Sequence, residues 1–95
     1  MMGAFRVIWR RWLIEVELAG FVVKAIESGD DSGDITRAMA EIDRLLAGDP
    51  NVCGESRPNF ERVLCALPLV VHYEVHEDER IVHVQRVRYA PKRRR

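Results

Sequence analysis

The sequence predicts an α+β fold, β-α-α-β-β-β, in which a helical hairpin packs on a small, mainly antiparallel twisted sheet. Three observations carry this. Apolar and basic residues alternate over Phe5–Trp9, and the apolar period then becomes helical from about Arg10. Two helical stretches follow, parted by a short polar run that holds Gly29 and Gly33. The second half contains three runs rich in valine and other β-formers, and their connections are short enough to demand antiparallel hairpins.

The first strand covers Phe5–Trp9. In the helix after it, Trp12, Leu13, Val16, Ala19, Val23 and Ile26 recur at helical spacing and predict the buried face. Leu18, Phe21 and Val22 widen the apolar arc beyond one stripe. That arc fits either contact with the second helix or a groove for a partner's apolar anchors. The first helix is expected to stop at Ser28-Gly29, where glycine can take the left-handed cap conformation. Ser32 or Asp34 is expected to cap a second helix, from about Asp34 to Ala47, whose inner face is Ile35, Ala38, Met39, Ile42, Leu45 and Leu46. Gly48 and Asp49-Pro50 end it. So short a link makes the two helices antiparallel neighbours.

Asn51–Asn59 reads as a loop, and strands are expected near Glu61–Ala66, Leu69–Val75 and Arg80–Arg88. A turn centred on Glu77-Asp78 would set Val75 opposite Arg80, Tyr73 opposite Val82 and Val71 opposite Val84. The other face would then carry His72 beside His83, with Glu74 and Gln85 nearby. Alternation fails after Gln85, which predicts a bulge near Arg86.

The 95 residues suffice for one core, so residues 1–90 form one domain and 91–95 a flexible basic tail. With 47% hydrophobic and 32% charged residues the composition excludes wholesale disorder. Net charge is zero, but its distribution is lopsided. Acids dominate between Glu27 and Glu55. From Ile81 onward there are only bases: Arg86, Arg88, Lys92, Arg93, Arg94 and Arg95. That asymmetry is the footprint of polyanion contact. The apolar run Trp12–Val23 is broken by Glu15 and Glu17 and is too short to span a bilayer. The expectation is therefore a cytoplasmic protein without membrane contact. Cys53, in a loop, and Cys65, in an expected core strand, are read as free thiols.

Several stretches together resemble the RelE/ParE family of type II toxins. They are "FRVIWRRWLIEVELAGFV", "AEIDRLLAGDP", "GESR" and "RVLCALPLVVHYEVHEDERIVHVQRVRY", covering about residues 5 to 90. The resemblance implies a toxin neutralised by a small cognate antitoxin, with a metal-independent endoribonuclease acting on mRNA as the leading expectation and a non-enzymatic binder as the alternative. RelE-like members cut mRNA on the ribosome without a metal or other cofactor, by attack of a ribose 2′-hydroxyl on the adjacent phosphate. ParE-like members are non-enzymatic and poison DNA gyrase. Cleavage needs cations for the phosphate and groups that move two protons. The resemblance points to Arg62, Arg86 and Tyr89 for catalysis and to Arg57 and Arg88 for RNA contact; His83 joins the catalytic set as an imidazole able to shuttle a proton, and the apolar arc Leu18, Phe21 and Val22 is the candidate antitoxin contact. The chain departs from the pattern at Leu69 and Val70, where many members carry an arginine. A catalytically decayed member retained for antitoxin binding is the further alternative.

Each residue also has an ordinary reading. Arginines on strands are commonly solvated, and the 92–95 tail is more often a general electrostatic segment than a specific site. His72 and His83 suit a proton shuttle, a metal pair or plain strand positions, and two ligands without a third define no metal site. Tyr73 is expected in the core. Tyr89 fits base stacking, proton donation or packing, and Trp9 and Trp12 fit core anchors.

Overall fold

In a computed structural model of the chain, residues 4–56 and 61–91 are described. Strand β1 (Arg6–Trp9) leads into a long helix made of a π-helical segment, Leu13–Leu18, continued by α1 (Ala19–Glu27). Then come α2 (Gly33–Gly48), β2 (Glu55–Ser56), β3 (Arg62–Ala66), β4 (Leu69–His76) and β5 (Ile81–Tyr89). The five strands form one sheet in the order β1-β5-β4-β3-β2. β1 runs parallel to β5, and every other pairing is antiparallel. The α+β class and two helices on a mostly antiparallel sheet agree with the expectation. The fifth strand, β2, does not: it lies in the stretch expected to be loop, and pairs Glu55 with Val63 and Ser56 with Arg62. Two residues are too few for periodicity to register.

The core lies between the helices and one face of the sheet. Ile35, Ala38, Ile42 and Leu46 of α2 meet Leu64, Val71, Tyr73, Val82, Val84 and Val87 there. Burying each of the larger aliphatic side chains contributes about 2 kcal/mol. α2 lies on β1, β3 and β4, and the π segment lies on β5. Trp9 joins the strand layer to α2 by donating its indole N–H to Asp43 at 2.6 Å.

The face of the first helix is a correction. Leu13, Leu18 and Ala25 are the buried residues, and Phe21 and Val22 pack against the core. Trp12, Val16, Val23 and Ile26, expected inside, are between 47% and 65% exposed. The π segment is the cause. Leu13 and Leu18 are five apart, a spacing that aligns on a π turn and not on an α turn. Of the α-helical stripe read from the sequence, Leu13 alone is buried, and the rest faces outward.

The end of α1 follows expectation. Gly29 takes φ +78°, its N–H donates to the Ile26 carbonyl at 3.1 Å, and the Asp30 N–H donates to the Ala25 carbonyl at 2.8 Å. This pair of bonds is the Schellman closure that a glycine at this position permits. The α2 cap is supplied by another residue than expected. Ser32 has helical backbone angles and makes no side-chain capping bond. Asp31 instead accepts from the Gly33 N–H at 2.8 Å, and Arg37 bonds both Asp31 and Asp34. The Gly33 amide, and after it Arg37, hold the Asp31 carboxyl below the usual carboxylate range.

The β4–β5 register is a second correction. The turn spans four residues, Glu77 to Arg80, so His76 pairs with Ile81, Val75 with Val82 and Tyr73 with Val84. A two-residue turn on Glu77-Asp78 would need positive φ at both, which neither residue favours. The longer turn places only Arg80 there, at φ 56°. The slip is even-numbered, so every side chain keeps its expected face while its partner changes. The expected bulge is present, with Gln85 unpaired between Val84 and Arg86.

Candidate functional site

The sheet has two faces, and the candidate residues divide between them. The helices cover the inner face. Strand register and the bulge at Gln85 bring a polar set onto the outer face: His72 opposite Arg86, and Glu74 opposite His83. Without the bulge, Arg86 and Arg88 would change sides, so that one irregular residue decides which face the basic strand end serves.

The best-defined cluster there is Glu61, His72 and Arg86. Glu61 Oε1 lies 3.2 Å from His72 Nδ1, and Arg86 Nη2 lies 3.0 and 3.2 Å from the two Glu61 oxygens. A carboxylate only accepts, so the His72 Nδ1 bonded to it must carry the proton. Arg86 also approaches that nitrogen to 3.3 Å. Burial pushes the Glu61 carboxyl up, but His72 and Arg86 together outweigh it and hold it below its ordinary 4.5. The sign follows from the lowered value. The cluster's contribution to stability is complete above that ordinary value and is lost as pH falls through the lower, folded value. Urea unfolding at neutral pH and at acid pH should therefore show wild type losing more stability on acidification than Glu61→Gln does. Equal losses would exclude Glu61 as a contributor.

A second group adjoins it. His76 and His83 meet edge to face, with ring centres 5.0 Å apart, and His76 Nε2 lies 3.4 Å from Glu74. Arg88 is exposed, and no ion pair among the described residues engages it. The expected juxtaposition of His72 with His83 is replaced by these pairs, because of the longer turn.

Arg62 does not join this face. It pairs with the core residue Tyr73 across β3 and β4, and its guanidinium donates to the Gly54 carbonyl at 2.6 Å. Tyr73 in turn donates its hydroxyl to the Pro50 carbonyl at 2.8 Å. Both side chains hold the 49–54 loop against the inner side of the sheet, so Arg62 is a structural arginine. Arg62→Ala should cost about 1.5 kcal/mol, the value of a charge-assisted hydrogen bond. Arg88→Ala should stay within about 0.5 kcal/mol of wild type. Thermal melts of the two variants test the contrast.

Tyr89 also turns inward, pairing with Leu69 and stacking on Phe21 with ring centres 5.5 Å apart. Burial, and after it the Asp30 carboxylate, raise its phenol pKa, which suits packing better than proton transfer. Phe21 is thereby occupied within the chain. Leu18 is buried and Val22 is packed on the core, so these three serve packing within the chain. Trp12 is likewise no core anchor, and Cys65, expected to be buried, is exposed; both cysteines are free. Arg57 and residues 92–95 lie outside the described residues. No cluster of three or more metal-ligating side chains occurs among the described residues, and none of their helices is long and apolar enough to cross a membrane.

Sequence reasoning missed Glu61 as the centre of the outer cluster. Period two on β3 was the available signal, since it puts Glu61 on the side of Val63, the partner of His72. No protein-family model matches the chain, and no curated protein matches it.

Proposed function

We propose that this chain is a RelE/ParE-like toxin-module protein that acts by binding a partner and not by cutting RNA. The resemblance of residues 5 to 90 supports the module. The observation that favours binding is the division of the four candidate catalytic residues. Arg62 and Tyr89 serve the inner, packed side of the sheet. Arg86 is neutralised by Glu61, so among the candidates within the described residues only His83, edge to face with His76, and the phosphate-contact residue Arg88 remain on the outer face outside an ion pair. Among the described candidates that leaves one cation outside an ion pair and one imidazole, short of the paired proton carriers and charge clamp that in-line attack by a 2′-hydroxyl requires. The partner classes are DNA gyrase, for a ParE-like toxin, and a cognate antitoxin, for a member kept for neutralisation.

A second reading has one observation in its favour. His72, His76 and His83 share the outer face with Arg86 and Arg88, which is the chemistry of metal-independent RNA cleavage. Mapping 5′ ends on a message in a bacterial translation reaction separates the two. The expected result is intact message, with inhibition of supercoiling in a parallel gyrase reaction identifying a gyrase-directed toxin. New cuts within translated codons, lost in His83→Ala or Arg88→Ala, would overturn the binding reading in favour of cleavage.

A further inference from the structure

Glu61 is held where an anion from outside would be held. Its Oε1 meets two donors at once, His72 Nδ1 at 3.2 Å and Arg86 Nη2 at 3.0 Å, and those donors stand 3.3 Å apart on neighbouring strands. The donors are fixed. His72 and Arg86 face one another inside the β4–β5 ladder, between the two longest strands of the sheet. The acceptor is tied less firmly, since Glu61 precedes β3 and belongs to no strand. Continuing the β3–β4 register by one step sets it opposite Glu74, a second carboxylate. That neighbour repels it, so His72 and Arg86 are what keep Glu61 on this face.

The seat has more donors than Glu61 uses. A guanidinium presents five N–H groups in a planar fork, yet only Nη2 of Arg86 is engaged; its Nε and Nη1 make no bond among the described residues. A carboxylate held by one nitrogen lacks the two parallel bonds that make arginine–oxyanion contacts strong. The Arg86 side chain is 62% exposed, so its unused donors are reachable from solvent. Arg88, the next outward residue of β5, stands roughly 7 Å further along the strand and makes no ion pair among the described residues. The other acids of this face do not complete the seat. Glu74 is engaged by His76 at 3.4 Å, and Glu55 lies three strand spacings, roughly 14 Å, from Arg86. A tetrahedral phosphate has oxygens enough for the Arg86 fork and for His72 together, and its greater charge also draws on Arg88.

We propose that His72 and Arg86 form a phosphate-binding seat on the outer face, and that Glu61 is its built-in competitor, an autoinhibitory carboxylate that a phosphate group displaces. The inference rests on this cluster and not on the toxin-module reading. Intact message and an unaffected gyrase reaction leave it standing.

Titration with inorganic phosphate at neutral pH and constant ionic strength tests it, with binding followed by the imidazole resonances of His72. Wild type should bind weakly, since each phosphate must displace Glu61. Glu61→Gln keeps the side chain's shape and removes its charge, and should bind about tenfold more tightly, the effect of one charge-assisted hydrogen bond. Arg86→Ala in that background should abolish the gain. Glu79→Gln, the same charge change in the exposed β4–β5 turn, should bind like wild type. A Glu61→Gln chain that binds no more tightly than wild type overturns the proposal. So does an equal gain in Glu79→Gln, or a gain that survives Arg86→Ala, because either would assign the effect to net charge. Phosphate binding to wild type that leaves the His72 resonances unmoved overturns it without any variant. A short single-stranded oligonucleotide without terminal phosphates makes the second arm. A matching gain there supports the seat with phosphodiesters as its source, and a gain for inorganic phosphate alone supports it with free phosphate or phosphomonoesters.

Discussion

Replacing Gly54 with alanine is expected to destabilise the protein by about 2 kcal/mol or more, which lowers the melting temperature of so small a domain by roughly 10 °C. The added Cβ would stand 2.2 Å from the Tyr73 hydroxyl oxygen and 2.8 Å from the Val63 carbonyl oxygen. One obstacle is main chain in a paired strand, and the other cannot withdraw. Tyr73 is fully buried, and its hydroxyl is committed to the Pro50 carbonyl at 2.8 Å. Its burial is deep enough to push the phenol up to about 12. Moving the loop away from the Cβ would break the Arg62 bond to the Gly54 carbonyl as well. Tyr73→Phe supplies the control. Deleting the hydroxyl removes the closest contact, so Gly54→Ala should cost less in the phenylalanine background than in wild type. A cost that is the same in both backgrounds would mean that Gly54 and Tyr73 do not touch.

The same residues show where reading the sequence succeeds and where it stops. Element type and order were legible because α2 and the three long strands carry clean periods: Ile35, Ala38, Ile42 and Leu46 at helical spacing, and Val71, Tyr73 and Val75 at spacing two. The Gly29 cap and the bulge at Gln85 were legible too, since each is a local interruption of a pattern. Pairing was not. The β4–β5 register depends on whether the turn holds two or four residues, and Glu77-Asp78-Glu79-Arg80 contains no glycine or asparagine to decide it. The candidate site suffered most. Faces follow from alternation and survived the slip, which keeps His72, Glu74 and His83 on the outer face, and the bulge at Gln85 brings Arg86 and Arg88 to the same side. Arg62 was misplaced because it heads a strand whose inner neighbour is Tyr73, and composition does not reveal that an arginine there has a carbonyl to bind.

Leu13→Ala should cost about 2–5 kcal/mol, whereas Val16→Ala should stay within about 0.5 kcal/mol. The contrast departs from what α-helical spacing alone would give, because that spacing sets Leu13 and Val16 on one buried face, whereas the π segment buries Leu13 and leaves Val16 outside. Leu13 has no exposed surface, and Val16 is 65% exposed. Removing the leucine side chain leaves a void between the helix and β5, bounded by residues held by the sheet, so little collapse can refill it. Removing two methyl groups from Val16 changes only solvated surface in the monomer. Urea unfolding measures both variants on the same footing. A cost at Val16 comparable to that at Leu13 would mean that the first helix is a plain α-helix with its regular stripe inward, and the outward face would fall. The predicted order ties the outward stripe to a defect in the helix. A π turn leaves one residue's worth of backbone less well bonded than an α turn, and here the return is twofold. Leu13 and Leu18 both reach the core, and the α-spaced apolar residues are left facing away from it, where only another molecule can cover them.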